Sequence, residues 1–99
     1  MTILSIEITT TKHSMKTLII EDEIAAANNL KRIINESFPD IEVVSVEQTV
    51  VGALNYLNNN TDIDIILADI QLSDGLSFEI FENIQIDIPI ILTTILFEL

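Results

Sequence analysis

The chain has 99 residues, of which 48% are hydrophobic and 20% charged, and its formal net charge at pH 7 is −12. This length and apolar content fit one small folded domain, or part of one, and exclude an intrinsically disordered chain. The absence of cysteine excludes disulfide frameworks, thiolate zinc sites and cysteine catalysis, and a single histidine leaves little basis for a histidine metal cluster or a Ser–His triad.

The charges are distributed unevenly. All four basic residues, Lys12, Lys16, Lys31 and Arg32, lie in the first third of the chain, and residues 33–99 contain twelve carboxylates and no lysine or arginine. Such a surface repels phosphate backbones, so we expect no direct binding of nucleic acid. It suits metal cations and basic partner surfaces instead.

The sequence contains no pattern of a signal peptide or a membrane span. Residues 1–14 lack a basic start followed by an apolar run. The longest apolar stretch, residues 88–97, is far shorter than the ~20 residues that a spanning helix needs. We therefore expect no membrane association and a cytoplasmic location.

The first fourteen residues differ from the rest. Ile3, Leu4, Ile6 and Ile8 could form an edge strand, but the polar run that follows them ends the pattern. We interpret residues 1–14 as a non-native or disordered leader, with an extra edge strand as the alternative.

Apolar runs then alternate with amphipathic segments. The runs predict buried strands at residues 17–20, 41–46, 63–68 and 88–93. Helical spacing between them predicts three helices, whose core positions are Ala26, Leu30, Ile33 and Ile34; Val50, Ala53, Leu54 and Leu57; and Phe78, Ile80, Phe81 and Ile84. The order βαβαβαβ predicts an α/β fold with a parallel sheet covered on both faces.

Polar residues follow three of the predicted strands. Glu21 and Asp22 follow the first strand, Asp69 follows the third, and Thr93 and Thr94 end the fourth. In open parallel sheets, ligands bind beyond the carboxyl ends of the strands. Carboxylates brought together there require a neutralising cation, and Mg²⁺ fits because it takes few carboxylates and keeps several waters. A carboxylate beside Mg²⁺ can also attack a phosphoryl group.

Each acidic residue also has a simpler interpretation. Asp22 or Glu23 could only cap a helix, and Asp69 alone could be a turn residue. We expect Asp62 and Asp64 at solvated positions and Asp74-Gly75 in a turn. The combination of acids at neighbouring strand ends favours the metal site over these alternatives.

Three segments carry a resemblance to a known family. Residues 18–23 (LIIEDE), 65–75 (IILADIQLSDG) and 89–94 (PIILTT) resemble response-regulator receiver domains of two-component signalling, similar to those joined to LytTR-type DNA-binding domains. The resemblance covers residues 15–94 and implies an incomplete flavodoxin-like, doubly wound fold.

The resemblance also implies a role for each site residue. Asp69 would be the phospho-acceptor that takes a phosphoryl group from a sensor histidine kinase. Glu21, Asp22, Asp69 and the backbone carbonyl of Gln71 would hold Mg²⁺, and Thr94 would be the switch hydroxyl. No separate enzyme activity is expected.

The sequence departs from the family's pattern after Thr94. Ile95 stands where a small residue is expected, residues 95–99 do not begin a fourth helix, and the family's phosphoryl-binding lysine has no counterpart. We interpret residues 95–99 as an aberrant tail of a domain truncated after its fourth strand. The open edge of that strand favours self-association.

Two alternative functions remain open. The chain could be a phosphorylation-silent receiver fragment that acts at most as a protein-interaction module. It could also be a phosphatase similar to the haloacid dehalogenases, although that family has a second Asp where Gln71 stands. Flavin binding is disfavoured because Glu21-Asp22-Glu23 replaces the phosphate loop of a flavodoxin.

Overall fold

A computed structural model of the protein describes residues 14–85 and 87–93. The elements, in chain order, are β1 (Met15–Ile20), α1 (Ile24–Ser37), β2 (Ile41–Glu47), α2 (Val50–Asn59), β3 (Ile65–Ala68), β4 (Gln71–Leu72), β5 (Gly75–Leu76), α3 (Phe78–Asn83) and β6 (Ile90–Leu92). The predictions for the leader (1–14, except Ser14), for Thr94 and for the tail (95–99) concern residues outside this described part.

Four of the strands form the parallel sheet that the sequence predicts. Their order is β2-β1-β3-β6, and every neighbouring pair is parallel. The flavodoxin-like α/β fold, incomplete as far as the described residues extend, is therefore confirmed. Each predicted strand is present, although β3 and β6 are shorter than the apolar runs that predict them.

The sheet buries side chains on both of its faces. Leu18 and Ile20 join Ile66 and Ala68 in one cluster with residues from α2 and α3. Because side chains alternate along a strand, Ile19 points to the opposite face. All five of these residues are completely buried, and the continuous apolar runs of β1 and β3 follow from this double coverage.

Helix α1 is rotated relative to the prediction. Its buried residues are Ala27 and Ile34, whereas Ile33 is 38% exposed. Ala26, Leu30 and Ile33 line one side of an apolar groove, and Ile91 and Leu92 of β6 line the other. The described sheet ends at β6, so the part of the α1 apolar face that carries Ile33 is only partly covered.

A short hairpin that the sequence did not predict lies between β3 and α3. Strands β4 and β5 pair antiparallel, with Gln71 opposite Leu76 and Leu72 opposite Gly75. Its connection is the turn Ser73-Asp74, one residue earlier than the predicted Asp74-Gly75. Gly75, the first residue of β5, adopts φ +151°, a conformation that favours glycine.

Helix α3 is shorter than its apolar pattern suggests. Phe81 packs partly buried against the core, but Phe78 is 47% exposed, so its assignment to the core is wrong. The reason is that Phe78 is the first residue of the helix, where the chain has only just left the hairpin. Among the described residues, no helix has the length and apolar character needed to cross a membrane.

A matched pair of substitutions tests this packing. Ile66→Val in buried β3 should lower the free energy of unfolding by about 0.5–1.5 kcal/mol, because it removes a methylene group from a filled core. Ile91→Val makes the same chemical change at a half-exposed position of β6 and should cost less than about 0.5 kcal/mol. Urea denaturation followed by circular dichroism measures both, and equal losses would contradict the described core.

Candidate functional site

The register of the sheet aligns the ends of three strands. Ile20 pairs with Ala68, and Ala68 pairs with Leu92. The backbone N–H of Asp69 donates to the carbonyl of Ile20 at 2.9 Å, and that of Thr93 donates to the carbonyl of Ala68 at 3.0 Å. The residues that follow β1, β3 and β6 therefore leave the sheet side by side, at the carboxyl ends of the strands.

The structure brings together the three acidic side chains that the sequence singles out there. One carboxylate oxygen from each of Glu21, Asp22 and Asp69 lies within 4.8 Å of the other two, and all three residues are half-buried. Three potential negative charges at this distance repel one another strongly unless a proton or a cation neutralises them.

Glu21 shows the effect of this crowding most clearly. The pKa of its carboxyl is raised from 4.5 to about 7, chiefly by burial. The N–H of Glu23 opposes the change, while the charge of Asp69 and the hydrogen bond and charge of Asp22 contribute to it. That N–H donates to Glu21 Oε2 at 3.1 Å. When no cation is bound, Glu21 therefore keeps its proton to a higher pH than an ordinary glutamate does.

No basic side chain of the described residues compensates the cluster. The ion pairs in this part of the chain are Lys16–Asp62, at the opposite end of the strands, and Arg32–Glu36, within α1. Carboxylate oxygens without a basic partner fit a hard divalent cation such as Mg²⁺, which binds oxygen ligands and retains waters. The donor set therefore suits the metal that the sequence predicts.

Gln71 lies beside the cluster. Its backbone N–H donates to Asp69 Oδ1 at 3.4 Å, a long hydrogen bond that places the start of the β4–β5 hairpin next to the predicted phospho-acceptor. Thr93 is half-buried at the end of β6, adjacent to Asp69 across the sheet. The predicted switch residue, Thr94, follows it outside the described residues.

The other acidic residues have structural contacts. Glu23 is the residue before α1, but its side chain makes no capping hydrogen bond. Asp62 forms an ion pair with Lys16, and Asp64 accepts a hydrogen bond from the backbone N–H of Lys16 at 2.8 Å. Asp64 therefore ties the entry of β3 to β1, a role that its alternation with isoleucines does not reveal.

Asp74 has a longer-range contact than a turn residue needs. Its carboxylate accepts hydrogen bonds from the backbone N–H groups of Val50 and Val51, at the start of α2. These bonds lower the pKa of Asp74. The sequence predicts the turn but gives no signal for this partner, because the rest of α2, β3 and β4 separate the two segments.

Known proteins resemble this chain in both sequence and structure. No known family profile matches it. The sensory transduction protein LytT of Bacillus anthracis is 38% identical over 66 residues, which cover 67% of this chain and 26% of LytT.

Among solved structures, two response regulators superpose well. The crystal structure of PhyR from Brucella abortus matches 80% of this chain and 32% of its own, with 29% identity and a TM-score of 0.69. The solution structure of the Erythrobacter litoralis PhyR receiver domain matches 84% of this chain and 64% of its own, with 28% identity and a TM-score of 0.69. The chain thus spans about a quarter of the curated relative and less than two thirds of either structure.

The pKa of Glu21 predicts a pH-dependent stability in metal-free buffer. The folded chain holds a proton on Glu21 that the unfolded chain releases near its ordinary pKa of 4.5. This contribution to stability is fully present below pH 4.5 and is lost as the pH rises through about 7. Relative to Glu21→Gln, the wild-type protein should therefore lose stability across this range.

Denaturation in EDTA at a series of pH values measures this difference. Glu82→Gln, at an exposed position of α3, is the matched control and should show no such trend relative to wild type. A difference between wild type and Glu21→Gln that stays constant from pH 4.5 to pH 8 would show that the Glu21 pKa is not raised.

Proposed function

We propose that this chain, which is a receiver domain of the response-regulator type, accepts a phosphoryl group on Asp69 in a two-component relay. The observation that supports the proposal is the position of Asp69 at the end of β3, with its carboxylate within 4.8 Å of those of Glu21 and Asp22. The donor is a phosphohistidine of a sensor histidine kinase, the partner with which receiver domains generally interact.

The proposed transfer needs one nucleophile. An oxygen of the Asp69 carboxylate attacks the phosphorus atom, the P–N bond to the donor imidazole breaks, and the imidazole nitrogen takes a proton from water. The product is an acyl phosphate on Asp69. Mg²⁺, when bound, would neutralise charge on the phosphoryl oxygens and on the acidic cluster.

The chain's own residues would hold the metal and orient the acceptor. Glu21, Asp22 and Asp69 offer carboxylate oxygens, and Gln71 is proposed to add its backbone carbonyl. The N–H of Gln71 donates to Asp69 Oδ1. The other oxygen of Asp69 is proposed as the attacking atom. Thr94 is proposed as the hydroxyl that senses the phosphoryl group.

The signalling role, the cellular location and the absence of nucleic-acid contact are also proposals. The likeness to LytT supports a role in sensory transduction, but this chain corresponds to about a quarter of that protein, so any output is proposed to lie in other parts of such a protein. The reaction is proposed for the cytoplasm, and no direct contact with nucleic acid is proposed because the chain is strongly acidic.

One observation favours the phosphorylation-silent alternative. The described residues place no lysine or arginine at the acidic cluster, and the sequence has neither after Arg32. A fixed positive charge beside the transferring phosphoryl group stabilises the transition state. The loss of one such preorganised group typically lowers the rate by about 10²–10³-fold. If Asp69 is phosphorylated, the yield should therefore be low or the reaction slow.

Treatment with acetyl phosphate and Mg²⁺ tests the proposal. Intact-mass spectrometry should show a single phosphoryl adduct that hydroxylamine removes, as expected for an acyl phosphate. Asp69→Asn should abolish it, because an amide is not a nucleophile of this kind.

Asp40→Asn is the matched control, since Asp40 lies in the exposed loop between α1 and β2 and should leave the adduct unchanged. An adduct that survives Asp69→Asn would refute the acceptor. A folded wild-type protein that forms no adduct would favour the silent fragment.

Self-association through β6 is proposed from the open edge of the sheet. Within the described residues, β6 pairs with β3 alone, and Ile91 is 50% exposed beside the apolar groove. An unpaired edge with exposed apolar side chains can add a strand from a second chain. The net charge of −12 opposes this association.

Sedimentation of the protein at increasing salt should therefore show oligomers, because salt screens the repulsion. Ile91→Lys should suppress them. Val51→Lys changes the charge equally at an exposed position of α2 and should not. A monomer at high protein concentration and high salt would exclude the proposed interface.

A further inference from the structure

Asp74 connects the β4–β5 hairpin, which adjoins the acidic site, to the start of α2. It lies in the turn between β4 and β5, and its two oxygens accept from separate donors: the N–H of Val50 at 2.8 Å and the N–H of Val51 at 3.2 Å. Val50 lies 24 positions and Val51 lies 23 positions before Asp74 in the sequence. The contact is therefore tertiary and does not belong to the turn itself.

The donors are N–H groups of the first turn of α2, which have no partner within the helix. The next N–H, from Gly52, donates to the side chain of Thr49 at 2.9 Å, and that of Ala53 donates to the Thr49 carbonyl. Asp74 thus accepts from the first two N–H groups of α2, and Thr49 accepts from the next two. A carboxylate at a helix N-terminus also interacts favourably with the helix dipole.

The segment that Asp74 holds begins at the phospho-acceptor. After Asp69, the N–H of Ser77 donates to the carbonyl of Ile70 at 2.8 Å, and Gln71 pairs with Leu76. Each strand of this hairpin has only two residues, so the hairpin has little stability of its own. Its described attachments to the rest of the domain include the buried side chain of Leu72 and the carboxylate of Asp74.

We propose that Asp74 is a positioning residue for phosphoryl transfer: by bonding the start of α2, it fixes the hairpin so that the backbone of Gln71 stays beside Asp69. This inference rests on the proposed function of Asp69. Asp74 acts through Gln71, whose N–H contacts the acceptor and whose carbonyl is the proposed metal ligand.

Loss of the Asp74 carboxylate should therefore weaken the site without removing any ligand. In Asp74→Ala, the affinity for Mg²⁺ should fall by about 10- to 100-fold, the usual effect of removing a group that orients a metal ligand. The rate of adduct formation with acetyl phosphate should fall with it. Asp74→Asn keeps an oxygen that can accept from Val50 and should retain part of the affinity.

Thr49→Ala provides the matched control. It removes the other side-chain cap of the same helix turn and leaves Asp74 and the hairpin untouched. Mg²⁺ affinity is measured by NMR titration at a temperature where all variants are folded, with the adduct rate measured by mass spectrometry. Hydrogen exchange of the Ser77 amide reports the hairpin directly, and it should accelerate in Asp74→Ala but not in Thr49→Ala.

The outcomes separate this inference from the proposed function. A wild-type protein that bound no Mg²⁺ and formed no adduct would overturn both. A functional wild type in which Asp74→Ala and Thr49→Ala had equal Mg²⁺ affinity, equal adduct rates and equal exchange would overturn the role of Asp74 alone. Faster exchange at Ser77 with unchanged affinity and rate would also overturn it, since the hairpin would then move without consequence for the acceptor.

Discussion

The parallel pairing of β1 with β3 is the contact on which both the core and the acidic site depend. Four consecutive residue pairs, from Thr17 with Ile65 to Ile20 with Ala68, fix one register between the two strands. A slip by one residue would turn the buried side chains of both strands to the wrong faces. The same slip would separate Glu21 from Asp69, so the apolar side chains that stabilise the sheet also determine where its carboxylates meet.

The cost of the site is electrostatic. Burial and two neighbouring acids make the charged form of Glu21 unfavourable, and the described residues supply no basic side chain to offset this. An excess of carboxylates makes nucleic acid an unsuitable partner. Where three of them cluster, the same excess favours the binding of a cation. In the absence of metal, the raised pKa of Glu21 favours protonation, which reduces the repulsion among the three acids.

The sequence predicted the sheet and the acidic cluster because both depend on short, local signals. The apolar runs of β1 and β3 are continuous, and an acidic residue follows each of them directly, so chain order and parallel topology are sufficient to place Glu21 near Asp69. What the local pattern could not give is the outcome of contacts between distant segments. The bond from Asp74 to Val50 and the rotation of α1 both depend on which elements become neighbours.

Phe78 and Ile33 illustrate the same limit for burial. Both have apolar side chains at helical spacing, and both are exposed in the structure. Phe78 begins a helix of six residues, and Ile33 lines a groove beside the last described strand. Periodicity identifies the apolar face of a helix. How much of that face is buried depends on the neighbouring elements, which periodicity does not describe.

The distance along the chain between Glu21 and Asp69 has a consequence for folding. About half of the chain separates them, and it includes β2, both long helices and β3. In the unfolded chain Asp69 is far on average from the adjacent pair Glu21 and Asp22, so the cluster of three forms only when β1 and β3 have paired. Any cation that binds the assembled cluster but not the separate acids therefore stabilises the whole domain, by about 2.7 kcal/mol at a concentration one hundred times its dissociation constant. Occupancy of the site and stability of the fold are in this way linked equilibria.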